Sequence, residues 1–333
     1  MRQIAISVPW DPRQASALLD RARIADEAGV HSIWVNEGFG HDAFSGLTLL
    51  AWNTARARLG TAIVNVFSRT PGALAQQFAT IDQLSEGRVI VGLGTSAPGA
   101  IERFHGVPYR APLARLRETV ELVRAYWRHD RASYAGEVYA VDRPLPLGVD
   151  PVQTEPPVYL ATLHPRSVQL TAEIADGWLP AWIPLERLPH ETWQLRAWAQ
   201  ATGRDPSALT VRAPGTVTVA RDAAQAEAIR HARRQALAFF VARNGDFYYR
   251  QFGRQGLADE AAAIRRAWGE GGHEAAVAAI PEGMAERFDF VGELPAALER
   301  LDAQAEAGAD LHHVHVVEED PRTAARILER LVD

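Results

Sequence analysis

Several stretches of this 333-residue chain put chemistry-bearing side chains where apolar runs stop. Glu37 follows the run Ser32-Ile-Trp-Val-Asn36. At a strand end a carboxylate suits general acid/base work or the orienting of a ligand; it suits equally the capping of a helix or a salt bridge. Arg69, flanked by Ser68 and Thr70 in a strand-to-helix turn, fits pairing with a neighbouring helix or subunit better than ligand contact. Gly92-x-Gly94-x-x-Ala97 has the letters of a dinucleotide fingerprint, but Pro98-Gly99 follow, so no helix is expected to open there. No acidic residue ends a next strand about twenty residues on either, which argues against a Rossmann site. The glycines then have two readings. They only let a strand end turn, or they let the backbone at Thr95 and Ser96 approach a flat ligand closely, which is the preferred one.

Thr162-Leu163-His164-Pro165-Arg166-Ser167 joins a strand to a helix. Free N–H groups at a helix start together with an arginine suit a phosphate; the plain alternative is a capped helix whose Arg166 faces water. His312, His313 and His315 lie on the final strand, where alternation puts His313 and His315 on one face. A metal pair is conceivable there. No carboxylate motif accompanies them, so packing or a hydrogen bond at the strand end is the better reading, and no metal is expected. Phe39, Phe67 and Trp182 are candidates to wall a pocket for a planar ring.

Composition removes whole reaction classes. The chain has no cysteine, so it has no disulfide, no thiolate nucleophile and no cysteine-ligated metal. It also has no lysine, which excludes Schiff-base chemistry and a P-loop. A net charge of −6 argues against a nucleic-acid surface. No apolar run approaches a membrane span and no signal peptide opens the chain, so a soluble cytoplasmic protein acting on a small molecule is expected.

The elements that must position these groups alternate. Strands are expected at Ile4–Val8, Ser32–Asn36, Leu59–Val66, Val89–Leu93, Val158–Thr162, Gly177–Pro180, Val211–Val219 and Leu311–Val317. Short β-branched runs of this kind read as strands buried on both faces. Helices are expected between them. Asp42 caps one of them, and Pro71 opens another whose Leu74, Phe78, Ile81 and Leu84 form one stripe. A further helix over Pro112–His129 carries Leu116, Val120, Val123 and Trp127 on one face, and Ser133–Asp142 reads as a short hairpin. The Ala- and Arg-rich stretch Asp222–Met284 is mostly helix, longer than one crossover needs. The fold expected is therefore α/β, a (β/α)8 TIM barrel forming one domain, with a helical insertion at about 222–290 before the last strand.

The runs Ser32-Ile-Trp-Val-Asn-Glu37, Leu59-Gly-Thr-Ala-Ile-Val-Asn-Val-Phe-Ser-Arg-Thr-Pro71, Leu84-Ser-Glu-Gly-Arg-Val-Ile-Val-Gly-Leu-Gly-Thr-Ser96 and Ala175-Asp-Gly-Trp-Leu-Pro180 carry a family resemblance. With them the chain resembles the luciferase-like monooxygenase superfamily, and the pattern Asn65…Arg69…Pro71 leans toward its branch using the deazaflavin coenzyme F420, which includes methylenetetrahydromethanopterin reductase. The resemblance implies a TIM barrel, commonly a homodimer, that holds the cofactor ring at the C-terminal ends of the strands. It implies a non-prolyl cis peptide at Ala62–Ile63, with Asn36, Val64, Asn65, Thr95 and Ser96 around the ring. Thr162, Leu163, His164, Arg166 and Ser167 match the phosphate-binding turn, although relatives often carry glycines where Leu163 and His164 stand. Glu37 inherits the acidic position and would exchange a proton with the substrate. The glucose-6-phosphate dehydrogenase member of the branch has an Asp-His pair at Glu37-Gly38 and a Glu at Ala97, so sugar phosphate oxidation is not expected. The resemblance leaves two alternatives to F420-dependent hydride transfer: an FMN-dependent two-component monooxygenase, and a flavin-binding barrel without catalysis.

Overall fold

Eight strands alternate with helices in the order of a (β/α)8 barrel, as the apolar spacing predicts. They are Ile4–Ser7, Ser32–Val35, Arg58–Thr61 continued by Val64–Asn65, Val89–Gly94, Val158–Ala161, Gly177–Trp178, Thr210–Ala220 and Leu311–Val317. The computed structural model describes residues 1–8, 10–243 and 245–333; Pro9, and Asn244 within the expected insertion, lie outside the described residues. Local chemistry sets the helix starts. Asp42 accepts from the Ser45 amide at 2.9 Å and opens Ala43–Asn53. Thr70 caps Pro71–Leu84, where the proline sits in the first turn that needs no N–H donor.

The chain divides into two compact units. The first comprises Met1–Leu179, Leu195–Thr210 and Leu328–Asp333, and it holds the first six strands. Their pairings are parallel: Val35 lies beside Thr61, Leu59 beside Val89, Gly94 beside Ala161 and Leu160 beside Trp178. Bulky rings set where glycine is needed. A Cβ on Gly60 would lie 2.6 Å from the Trp34 ring, and one on Gly177 would lie 2.6 Å from the Tyr159 ring. The expected hairpin forms as Tyr134–Ala135 and Ala140–Val141. The Glu118 carboxylate, on helix Pro112–Trp127, accepts from the amides of Glu137, Val138 and Tyr139 and so anchors its turn.

The second unit comprises Pro180–Gln194 and Val211–Ile327. Within it Val217, Thr218 and Val219 pair in parallel with Val314, His315 and Val316. The insertion is helical as expected, through Ala223–Arg243, Gly245–Arg254 and Ala258–Ala278. Leu237, Val241, Phe252, Ile264, Met284 and Phe288 build its core, each buried side chain of this size contributing about 1.5–3 kcal/mol. Trp182 packs against that core, its ring 5.2 Å from Phe240 and 5.9 Å from Phe288.

Three expectations need correction. The third strand is not continuous from Leu59 to Val66: it breaks at Ala62–Ile63 and resumes at Val64. A helical segment does open at Pro98, as Pro98–Ala100 followed by a wide turn over Ile101–His105, because proline is tolerated at a first helical position. A short strand not expected from the sequence, Phe290–Gly292, begins where the stretch assigned to the insertion ends and pairs with Val217–Val219.

Candidate functional site at the strand ends of the first unit

The second to fifth strands are buried until they reach one level, and there they open. Val35, Thr61, Gly94 and Leu160 are buried; Asn36 and Ser96 are exposed, and Ala62, Ile63, Thr95 and Ala161 are half-buried. The strand register puts Asn65, Gly94 and Ala161 side by side, with Val64 beside Leu93. The expected residues on these strands are thereby brought together on one level.

The break in the third strand is a cis peptide between Ala62 and Ile63. Its neighbours account for its fit. The Ala62 amide donates to the Val35 carbonyl at 2.9 Å, and the Val66 amide donates to the Gly94 carbonyl at 3.0 Å. Between these anchors Thr61 Oγ1 accepts from the Gly92 amide at 3.0 Å and donates to the Gly92 carbonyl at 2.7 Å. A Cβ on Gly92 would stand 1.6 Å from the Thr61 carbonyl oxygen, so only glycine fits. At Gly94 a Cβ would meet the Ile63 side chain at 3.1 Å. The two glycines therefore serve the packing of the third strand against the fourth. This packing role is neither of the two readings drawn from the sequence, and it leaves the Ile63 side chain against Gly94.

Glu37 is an ion-paired, helix-capping carboxylate. Arg69 donates to it twice, Nη1 to Oε1 at 2.5 Å and Nη2 to Oε2 at 2.9 Å, and the Ala43 amide donates to Oε2 at 2.9 Å. The two side chains are only 9% and 17% exposed, which makes the pair less screened than a surface bridge. The Arg69 guanidinium also lies 5.0 Å from the centre of the Phe44 ring. The pairing expected for Arg69 is thus within its own chain.

Asn65 organises the turn after the third strand. Its Oδ1 accepts from the Phe67 and Ser68 amides at 3.0 and 2.8 Å. With the oxygen so committed, its NH2 group faces His105 Nε2 at 3.3 Å. An NH2 can only donate, so Nε2 accepts and the imidazole carries its proton on Nδ1. No local pattern announces His105. Forty residues separate it from Asn65, and the segment that delivers it, Pro98–His105, read as a loop.

Of the aromatic candidates, Phe39 is exposed and edge-on to Phe104 at 5.1 Å, whereas Phe67 is buried and stacked on Tyr109 at 4.9 Å. The Tyr109 hydroxyl donates to the Ser96 carbonyl at 3.2 Å, and burial pushes its pKa up. Trp182 belongs to the aromatic cluster of the second unit.

In the phosphate-turn candidate, His164 caps helix Pro165–Ile174. Its Nδ1 accepts from the Arg166 amide at 3.3 Å, and its carbonyl accepts from the Ser167 amide at 2.8 Å and from Ser167 Oγ at 2.7 Å. Thr162 is buried and bonds Thr171 between hydroxyls at 2.7 Å; Leu163 is half-buried, and Arg166 is exposed. In the second unit His312 Nδ1 lies 3.1 Å from Gln304 Oε1, and His313 Nδ1 lies 2.9 Å from Thr216 Oγ1. Burial, then the charge of Arg212, holds His313 well below the ordinary histidine range. Among the described residues no group of three or more histidines or carboxylates is arranged to hold a metal, and no helix is long and apolar enough to cross a membrane.

The chain is similar to known proteins in sequence and in shape. Residues 4–311 match the family model for luciferase-like monooxygenases. A Mycobacterium tuberculosis protein bearing the name of a coenzyme F420-dependent oxidoreductase is 34% identical over 182 residues, which are 51% of this chain and 52% of that one, so the match spans about half that relative's length. The 5,10-methylenetetrahydromethanopterin reductase of Archaeoglobus fulgidus is 26% identical over 292 residues, 86% of this chain and 85% of its own. Among solved structures, the coenzyme F420-dependent tetrahydromethanopterin reductase of Methanopyrus kandleri superposes with a TM-score of 0.82 at 21% identity, covering 99% of this chain and 98% of that one. At that identity the likeness speaks for the fold, a (β/α)8 barrel.

Proposed function

Since this chain belongs to the luciferase-like monooxygenase family, we propose that it is an oxidoreductase that uses coenzyme F420 to pass a hydride to or from a small organic substrate. The observation that carries this reading is the opened strand level of the first unit, with the cis Ala62–Ile63 bond at its centre and Asn65, Gly94 and Ala161 in register beside it. A planar tricyclic ring needs a floor of backbone and small side chains, and the exposure of Asn36, Ala62, Ile63, Thr95 and Ser96 supplies one. The names of the relatives support F420 over other flavins.

When bound, the coenzyme supplies a carbon, C5 of the deazaflavin, that takes or gives a hydride; the protein supplies position and exclusion of water. Ala62, Ile63, Val64 and Asn65 would lie under one ring face, with Asn36, Thr95 and Ser96 at its edge. Thr162, Leu163, His164, Arg166 and Ser167 would meet the phosphate, the imidazole cap at Arg166 yielding its amide to the anion.

Glu37, held by Arg69 and the Ala43 amide, acts as a positioning residue that fixes the start of helix Ala43–Asn53. Proton exchange with substrate is its competing role, and Glu37→Gln separates the two. Positioning alone raises KM and leaves the shape of the pH profile of kcat intact, whereas proton exchange removes one limb of it. His105, held by the Asn65 side chain, is a second polar group on this level.

The test is a fluorescence titration of the purified protein with F420 and with FMN. Binding of F420 at micromolar concentration is expected. Tight FMN binding with none for F420 overturns the reading in favour of a flavin monooxygenase.

A further inference from the structure

The opened strand level has an aromatic rim that the cofactor reading leaves unused. Phe39 follows shortly after Asn36 at the end of the second strand, and Phe104 lies on the wide turn Ile101–His105 beyond the fourth. Far apart in sequence, the two rings meet edge to face at 5.1 Å. The third strand stands between the second and the fourth in the sheet. The contact therefore joins the segments on either side of the strand that breaks at Ala62–Ile63. Side chains tie it to that strand: the Phe104 ring lies 4.9 Å from the His105 ring, and His105 is held at 3.3 Å by Asn65, where the strand ends.

Even in contact, Phe39 is 71% and Phe104 55% exposed. One exposed apolar side chain is ordinary, but two that touch beside an opened strand level make a patch of the kind that marks a binding surface. Edge-to-face packing leaves ring faces free to take a further apolar group. The chain around Phe39 is suited to that use. Gly38 and Gly40 flank it, and a Cβ on either would meet nothing within 4 Å, so packing does not demand glycine at these places. What glycine contributes there is backbone freedom.

Charge on the same segments is engaged. Glu37 is bound by Arg69 and the Ala43 amide, and Glu102 accepts from the Tyr109 amide at 3.3 Å. Arg103 folds back along its own turn, its Nε donating to the Gly99 carbonyl at 3.3 Å. The side chains from the two segments that meet are the apolar ones.

We propose that Phe39 and Phe104 select the substrate, and that it is an uncharged, largely apolar molecule seated on their rings with its reacting carbon turned toward the strand level. The inference deepens the proposed function and rests on it for where that carbon reacts.

The experiment titrates the full-length protein, with and without F420, with Nile red, a neutral apolar fluorophore. Displacement is then followed with cyclohexanone and with cyclohexanecarboxylate, an anion of similar body, while F420 affinity is measured separately by its own fluorescence. Nile red is expected to bind saturably, and cyclohexanone to displace it far better than the carboxylate. Phe39→Ala and Phe104→Ala should each weaken Nile red and cyclohexanone about fivefold, and the double variant more than about tenfold, because apolar contact is lost. F420 affinity and the thermal midpoint should stay as they were, since both rings are exposed, and Phe104→Trp should preserve binding. Arg103→Met should leave cyclohexanone binding unchanged. Nile red binding unaltered in the double variant overturns the inference, as does preference for the carboxylate that Arg103→Met abolishes. Failure of F420 to bind overturns the cofactor reading instead; loss of Nile red in the double variant without F420 still assigns the rim to an uncharged apolar ligand.

Discussion

At the ends of the second to fifth strands, polar side chains find their partners within the chain. Glu37 has Arg69 and the Ala43 amide, Asn65 has two amides and His105, and Thr61 is locked to Gly92 in both directions. On the seventh strand, by contrast, the Thr218 hydroxyl and Arg212 Nε are buried without any. A fully satisfied network rigidifies the backbone it touches, which suits a floor whose shape must be ready before a planar ligand arrives. Unsatisfied polar atoms brace nothing, and each carries the cost of its own desolvation. The difference teaches that the strand ends of the first unit are braced by side-chain hydrogen bonds, whereas the seventh strand is held by its backbone ladder and by packing.

The comparison breaks first if the rigid region is not in fact constrained. Gly92→Ala forces a Cβ to within 1.6 Å of a backbone carbonyl that cannot step aside. A loss of about 4 kcal/mol or more is expected in urea denaturation, with little soluble protein at worst. A loss under about 1 kcal/mol would mean that the two strands yield. The next effect belongs to the ion pair. Arg69→Ala leaves a mostly buried carboxylate without its guanidinium and should cost about 3 kcal/mol. The double variant Glu37→Ala with Arg69→Ala should cost less than the two single losses added together, because neither charge is then stranded. Simple additivity would show that the pair does no bracing.

The smallest effect sharpens the other side. Burial and the charge of Arg212 hold His313 well below its ordinary value of 6.5. The unfolded chain therefore binds a proton there at a pH where the folded protein does not. Stability should fall as pH drops through and below the ordinary histidine range and rise again with pH, with a slope of at most about 1.4 kcal/mol per pH unit. His313→Gln should flatten that slope in denaturation curves taken across this window; an unchanged slope assigns it to other groups.

Much of this was legible beforehand, for local reasons. Asp42, Thr70 and Pro71 announce helix starts because caps act within three residues, and the β-branched runs announce buried strands because both faces are covered. The break at Ala62–Ile63 follows from no local rule; resemblance alone pointed to it. The segment Pro98–His105 was missed because proline ends helices and also opens them. Phe290–Gly292 was missed because three residues are too few to show a period. The partners of Glu37 and Asn65 stand 32 and 40 residues away. Spacing cannot report such contacts.

Gly92 and Gly94 have a consequence for redesign. They fix the course of the backbone from beneath, so the outline of the floor is inherited separately from the side chains that decorate it. If the proposed cofactor site is right, a library varying Ala62 and Ile63 while keeping both glycines would change which ring system is preferred without rebuilding the strand, as a tailor alters a lining inside an unchanged coat.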